Sequence, residues 1–320
     1  MKKMFKFKIP SQKTLKQMSE VAKGENTKNF EQSCIDKIKE LTNHENVKIT
    51  SSGNNSILIA LAAIDGDIII PDQGGWHGFK QIAKFLKKDI KTVKTDEGLI
   101  KPKYLDNLEI KENSALIYTS FAGYCAEQDT EAISKYCKNN GITTIEDASA
   151  GIGDKQHKLG NGNYSDIIIA STGSPKIINV GNGGFITTNS NEIFSKTSVP
   201  QKLSKTSNII CSGIDSELEN VDEKLELTFN ATEHLKNNIE NTLHANKRGV
   251  NVIIPNSNAK EISWKLKRAL PIDKSGFITT CPNYNRVKQK AIAIEIKNLS
   301  YECLKKKYLD KIISEINSLQ

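Results

Sequence analysis

The sequence predicts an α/β protein, a mainly parallel sheet covered by helices and followed by a smaller α+β C-terminal domain. Between residues 47 and 188, short β-branched runs alternate with helical segments, which is how strands joined by helical crossovers read. After about residue 205 the texture turns polar and helical, and three more strand-like runs and an amphipathic helix follow. At 320 residues the chain is long enough for a large unit over 1–210 and a small one over 211–320.

In chain order, strands are expected at 47–51, 67–71, 114–119, 142–146, 166–171 and 184–188, with a weaker signal at 89–93. The 129–139 stretch puts Ala132, Ile133, Tyr136 and Cys137 on one helical face, and Gly141 beyond it can take the left-handed conformation that ends a helix. A long Lys/Glu/Asn-rich segment over 216–246 is expected to be helical and to bridge the two units. Strands at 250–254, 276–280 and 291–296 then precede a helix with Leu309, Ile312, Ile313 and Ile316 at helical spacing.

Composition narrows the function classes. No apolar run approaches the ~18 residues of a membrane span, and MKKMFKFKIP lacks the apolar stretch of a signal peptide, so a cytoplasmic protein is expected. Cys34, Cys125, Cys137, Cys211, Cys281 and Cys303 lie far apart with no CxxC spacing, which signals neither a metal site nor a disulfide scaffold. Net charge is +8. Its source is scattered lysine, with arginine only at Arg248, Arg268 and Arg286, so a solvated surface accounts for it better than a nucleic-acid partner does.

Three motifs carry chemistry. The first, Ser52-Gly53-Asn54-Asn55-Ser56, runs from a strand end into the apolar helix over 57–64. Free amides and the helix dipole at such an N-terminus favour a phosphate, although Asn and Ser are also ordinary helix caps. The second is Glu146-Asp147-Ala148-Ser149-Ala150-Gly151, at the C-terminal end of a buried parallel strand, the edge where open α/β sheets bind ligands. A carboxylate there can pair with a pyridinium nitrogen, and an isolated Asp can equally be a turn residue. The third is Ser171-Thr172-Gly173-Ser174-Pro175-Lys176, followed by Gly181-Asn182-Gly183-Gly184. Lys176 sits between two strands in a Gly/Ser/Pro loop, where a lysine can bond covalently to a carbonyl cofactor and then act as a base.

Together, the motifs resemble the DegT/StrS family of sugar aminotransferases that use pyridoxal 5′-phosphate (PLP). The shared order is Phe30-Glu31, Gly53-Asn54, Gly66-Asp67 to Pro71, Glu146-Asp147-Ala148, Ser171 to Lys176, and the glycine turn at 181–184, covering roughly residues 25–190. The resemblance implies the PLP-transferase fold of type I, with Lys176 as the Schiff-base lysine and Asp147 as partner of the pyridine nitrogen. It also implies phosphate contacts from Gly53, Asn54, Asn55 and Ser171. Trp76 falls where the family stacks an aromatic on the ring, with His77 as the alternative one position on. Ala150 stands where a glutamine usually meets the ring hydroxyl, and Ser149 beside it is a substitute. Asn182 replaces an acidic residue, and the family's Asn-Tyr-Arg segment is not found.

The function so implied is amino transfer from an amino-acid donor to a keto acceptor, including a keto sugar, by a homodimer. Arg286 is the best of the three arginines for a donor carboxylate. A second reading keeps the cofactor but replaces transfer with elimination, β-replacement or desulfuration, in which Cys125 could take part. A third is a PLP-fold binding or regulatory protein without turnover, against which the pairing of Asp147 with Lys176 argues.

Overall fold

The computed structural model describes residues 4–283 and 286–319. The strands are β1 (Asn46–Thr50), β2 (Ile68–Pro71), β3 (Ile90–Val93), β4 (Ala115–Thr119), β5 (Phe121–Ala122), β6 (Ala126–Glu127), β7 (Thr143–Asp147), β8 (Ile167–Ser171), β9 (Gly184–Thr188), β10 (Val252–Pro255), β11 (Ile278–Cys281) and β12 (Ala291–Ile294). Seven of them form one sheet in the order β1-β9-β8-β7-β4-β2-β3. In that sheet β9 pairs antiparallel with both neighbours, and the other pairings are parallel. Every residue of β2, β4 and β9 is buried, as expected of strands covered on both faces. β5 and β6 form a two-residue hairpin too short to carry a sequence signal.

The helices are α1 (Gln12–Ala22), α2 (Phe30–Thr42), α3 (Gly53–Ala62), α4 (Gly78–Phe85), α5 (Thr130–Asn139), α6 (Asn191–Lys196), α7 (Ser198–Leu203), α8 (Asn208–Leu218), α9 (Val221–Asn238), α10 (Ala259–Ala269) and α11 (Lys306–Asn317). The α5 helix starts where Asp129 accepts the amide of Ala132, and Gly141 beyond it has φ +65°. The expected bridge over 216–246 is corrected at its end, since helix stops at Asn238, and in two further respects. Helix begins earlier, at Asn208, and it breaks between α8 and α9, because residues 211–218 are buried against α1 and α2 as a separate packing unit.

At the C-terminal end β10-β12-β11 form an antiparallel sheet, with α9, α10 and α11 packed around it. Its core contains Val252, Ile254, Leu266, Ile292, Ile294 and Ile312, together with Phe5 from the N-terminal segment. That segment is threaded between two loops: Phe5 bridges to Ile272, Phe7 bridges to Leu299, and the Lys8 amide donates to the Asn298 carbonyl at 2.8 Å. Among the described residues no helix is long and apolar enough to cross a membrane.

Candidate active site

Parallel pairing brings the chemistry-bearing ends of distant segments to one edge. The register aligns Thr119 with Asp147 and Asp147 with Ile169, so β4, β7 and β8 finish together. A cavity of about 430 Å³ opens there, lined by Ser52, Gly53, Asn54, Trp76, Asp147, Ser149, Ser171 and Lys176, and closed on the far side by residues of the small sheet's loops.

At one end lies the first turn of α3. The Ser52 hydroxyl caps the helix by accepting the Asn55 amide at 3.1 Å, and Gly53 and Asn54 open the helix at the cavity wall. Gly53 is required by close approach, since a Cβ on it would lie 2.6 Å from the Cβ of Ser171. The two phosphate-type motifs, 118 positions apart in the chain, therefore touch. The Asn55 side chain faces elsewhere, its amide nitrogen donating to Ser51 Oγ at 2.6 Å, and it does not line the cavity.

Asp147, at the end of β7, is 8% exposed. Burial pushes its carboxyl up from the usual range, and Lys176 and hydrogen bonds from Ser149 oppose that shift. Ser149 gives Asp147 Oδ1 both its amide (3.1 Å) and its hydroxyl (2.5 Å), and the same hydroxyl accepts the Ser171 amide at 2.8 Å. A serine has one O–H donor, and here Asp147 takes it. Ala150 lies in the core with Phe121 and Ile152, away from the cavity lining. Beneath Asp147, the buried Glu146 accepts from Ser120, Ser165 and the Gly160 amide, which fixes the end of the strand.

The Lys176 loop is pinned at its base. Thr172 Oγ1 donates to the Asn182 carbonyl at 2.6 Å, the Thr172 amide to Gly183, and the Val180 amide to Thr172. Gly183 has φ +91°, and a Cβ there would meet Thr172 Oγ1 at 2.6 Å, so the glycine turn holds the loop by a contact only glycine permits. Trp76 lines the cavity and donates its indole N–H to Asn54 Oδ1 at 3.1 Å, while the His77 ring lies tilted by 42° against Trp76, centroids 4.0 Å apart, and is not part of the lining.

The opposite wall was not anticipated from the sequence, apart from Arg286. Glu295, 2% exposed, accepts from five donors: Arg286 Nε (3.1 Å) and Nη2 (3.4 Å), Lys297 Nζ (2.6 Å), Asn251 Nδ2 (2.5 Å) and Thr279 Oγ1 (3.1 Å). Its carboxyl is held well below the usual range by Lys297 and Arg286, against the effect of burial. The Tyr124 ring faces three cations, with Arg286 at 4.3 Å, Lys297 at 5.1 Å and Lys176 at 5.9 Å from its centroid. A usable signal existed, since Glu295 and Lys297 interrupt the otherwise apolar run Ala-Ile-Ala-Ile-Glu-Ile-Lys; the strand expected over 291–296 ends at Ile294, and a 3-10 turn over Ile296–Asn298 carries Lys297. Cys125 is fully buried, does not line the cavity, and has its thiol pushed up to about 12 by burial.

A lysine and a buried carboxylate on one cavity, with a helix N-terminus that a serine closes, fit PLP, and the fold is that of the PLP-dependent transferases of type I. The chain belongs to the DegT/DnrJ/EryC1/StrS aminotransferase family, whose profile matches residues 6–231, and its cofactor is PLP. A second profile, the MJ1341 family C-terminal domain, matches residues 222–317. No curated protein matches the sequence.

Among solved structures, the fold is similar to a Brucella abortus DegT DnrJ EryC1 StrS aminotransferase at TM-score 0.74 and 14% identity, over 96% of this chain and 95% of that one. It is also similar to Sphingomonas wittichii serine palmitoyltransferase (TM-score 0.74, 12% identity, 98% and 86% covered). A third likeness is to Bacillus subtilis ntda with bound cofactor PMP (TM-score 0.72, 14% identity, 97% and 82% covered).

Proposed function

We propose that this protein is an aminotransferase that takes the amino group of an amino-acid donor and gives it to a keto acceptor, with keto sugars among the candidate acceptors. The observation that carries the reading is the convergence of Lys176, Asp147 and the Gly53–Ser171 contact on one cavity. When bound, PLP supplies an electron-withdrawing ring that stabilises negative charge at the donor's α-carbon.

The protein's own groups do the rest. The amides of Gly53 and Asn54 and the hydroxyl of Ser171 would hold the phosphate, and Trp76, oriented by its bond to Asn54, would supply the aromatic face for the ring. Both Ser149 bonds fall on Asp147 Oδ1, which leaves Oδ2 to hold the proton on the ring nitrogen. Lys176 Nζ would anchor the cofactor and, once displaced by the donor's amine, would serve as the base that takes the donor's α-proton. Ile57, Ile169, Ala170 and Tyr124 give the cavity apolar walls that limit water.

On this reading the chain divides into a cofactor-binding unit over 1–210 and a small unit over 211–320. Two crossings tie them, with Phe5 in the core of the second and Cys211, Ile214 and Leu218 in the core of the first. Six free, buried cysteines suit a reducing cytoplasm, and the active form is proposed to be a homodimer. The test is a screen of single amino acids against the PLP-loaded protein without acceptor. A donor should bleach the cofactor's visible band and release one keto acid per site. Ammonia release with the band retained would instead identify a lyase.

A further inference from the structure

We infer that Lys297, rather than Arg286, is the cation that receives a substrate's carboxylate, and that Glu295 and Arg286 are positioning residues that hold it; this rests on the amino-transfer reading above. The argument is an account of donors. Arg286 directs Nε and Nη2 at Glu295 and stacks on Tyr124, so turning it towards a substrate would strip a buried carboxylate of two of its five donors. A lysine ammonium has three N–H donors. Lys297 gives one to Glu295 Oε2 at 2.6 Å and one to Asn298 Oδ1 at 2.9 Å, and the third is not used by any acceptor among the described residues. Lys297 and Asn298 both line the cavity, and Asn298 is itself fixed by donating to the Gly276 carbonyl at 2.7 Å.

Charge points the same way. Arg286 and Lys297 carry two positive charges against the single negative charge of Glu295, in a wall where all three are no more than 8% exposed. The cofactor's phosphate has its own cradle at Ser52–Asn54 and Ser171, so the anion at this wall belongs to the substrate. Lys8, whose amide donates to the Asn298 carbonyl at 2.8 Å, adds positive potential behind the wall, and burial first and then Lys297 lower its proton affinity. The ligand class is a substrate with one carboxylate directed at the small domain.

The test compares two ligands that differ only in that carboxylate, 2-aminoisobutyrate and isopropylamine, neither able to be processed through loss of an acidic α-proton. Their equilibrium binding to the PLP-loaded protein is read from the cofactor spectrum in wild type, Lys297→Met, Lys297→Arg and Arg286→Lys. Glu295 keeps four donors in Lys297→Met, so the wall should persist. The wild type should prefer the acid, Lys297→Met should lose about ten- to hundredfold of that preference with isopropylamine binding unchanged, and Lys297→Arg should keep most of it. An unchanged preference in Lys297→Met, an equal weakening of both ligands, or a larger loss in Arg286→Lys than in Lys297→Met would each overturn the assignment. Because binding requires no amino transfer, a protein that shows the predicted preference yet never yields a keto acid supports the role of Lys297 and contradicts the reaction instead.

Discussion

Replacing Lys8 by methionine should stabilise the protein in acid and neutral solution, by an amount that fades in alkali. Lys8 is 1% exposed, and among the described residues its Nζ has no hydrogen-bond partner, only the Tyr301 ring at 4.6 Å. Burial first, then Lys297 and Lys224, lower its pKa from 10.5 to about 7, with Glu217 opposing. At about 1.4 kcal/mol per pH unit, holding the charged form inside costs roughly 3–5 kcal/mol. The charge's attraction to the Tyr301 ring, about 1–2 kcal/mol, is part of what methionine forfeits. Below about pH 7 both folded and unfolded chains keep the proton, so the penalty is fully present. Between that value and 10.5 the unfolded chain binds more protons, so stability rises with pH until the penalty is gone. Urea unfolding at pH 6 should therefore give Lys8→Met an advantage of about 2–4 kcal/mol, shrinking towards zero by about pH 10. A variant less stable at pH 6, or a difference that ignores pH, would show that the ammonium is compensated and refute the reasoning.

Asp147→Asn should still bind PLP but slow the single-turnover loss of the donor's α-proton by about 10²–10³-fold, because a neutral amide cannot hold the ring nitrogen's proton as a carboxylate can. A wild-type rate would remove Asp147 from that role. Ser171→Ala should raise the PLP dissociation constant by one to two orders of magnitude, equivalent to about 1.5–3 kcal/mol for a hydroxyl on a charged phosphate. Equilibrium titration of the cofactor-free protein checks it, and an unchanged constant would take Ser171 out of the cradle. Gly53→Ala should weaken PLP binding and lower the urea midpoint together, since its Cβ would stand 2.6 Å from Ser171 Cβ, and overpacking of this kind costs about 1–3 kcal/mol. A fully stable variant with wild-type affinity would mean that the α3 turn has room the structure denies it.

The large sheet was legible because its strands are nearly continuous Ile, Val and Thr runs between Gly and Asp punctuation, as in Asp67-Ile68-Ile69-Ile70-Pro71. Parallel topology then dictates that a turn after β1, an acid ending β7 and a loop after β8 share one edge, so Gly53, Asp147, Ser171 and Lys176 meet. Side-chain direction was less accessible. Asn55 and Asn54 are adjacent in sequence, yet helix geometry points one at Ser51 and the other at the cavity wall. Trp76 and His77 were alternatives for the same place, and only Trp76 reaches the lining. The Glu295 cluster went unread because its members come from four separate segments, around 251, 279, 286 and 295–298, whose proximity depends on how the small sheet's register and loops close. The break at residues 219–220 likewise follows from α8 packing on α1 and α2, a tertiary effect with no local stop signal.

The central claim is that Lys176 carries the cofactor, and among the described residues two lysines line the cavity, Lys176 and Lys297. Lys297 is the competing nucleophile, since burial lowers its pKa to about 8. Borohydride reduction of the PLP-loaded protein followed by proteolysis and mass spectrometry separates them without reference to activity. The account predicts a pyridoxyl mass on the peptide containing Lys176, absent from Lys176→Ala while that variant remains folded. A pyridoxyl mass on Lys297 or any other lysine, or no adduct at all on protein saturated with PLP, would contradict it.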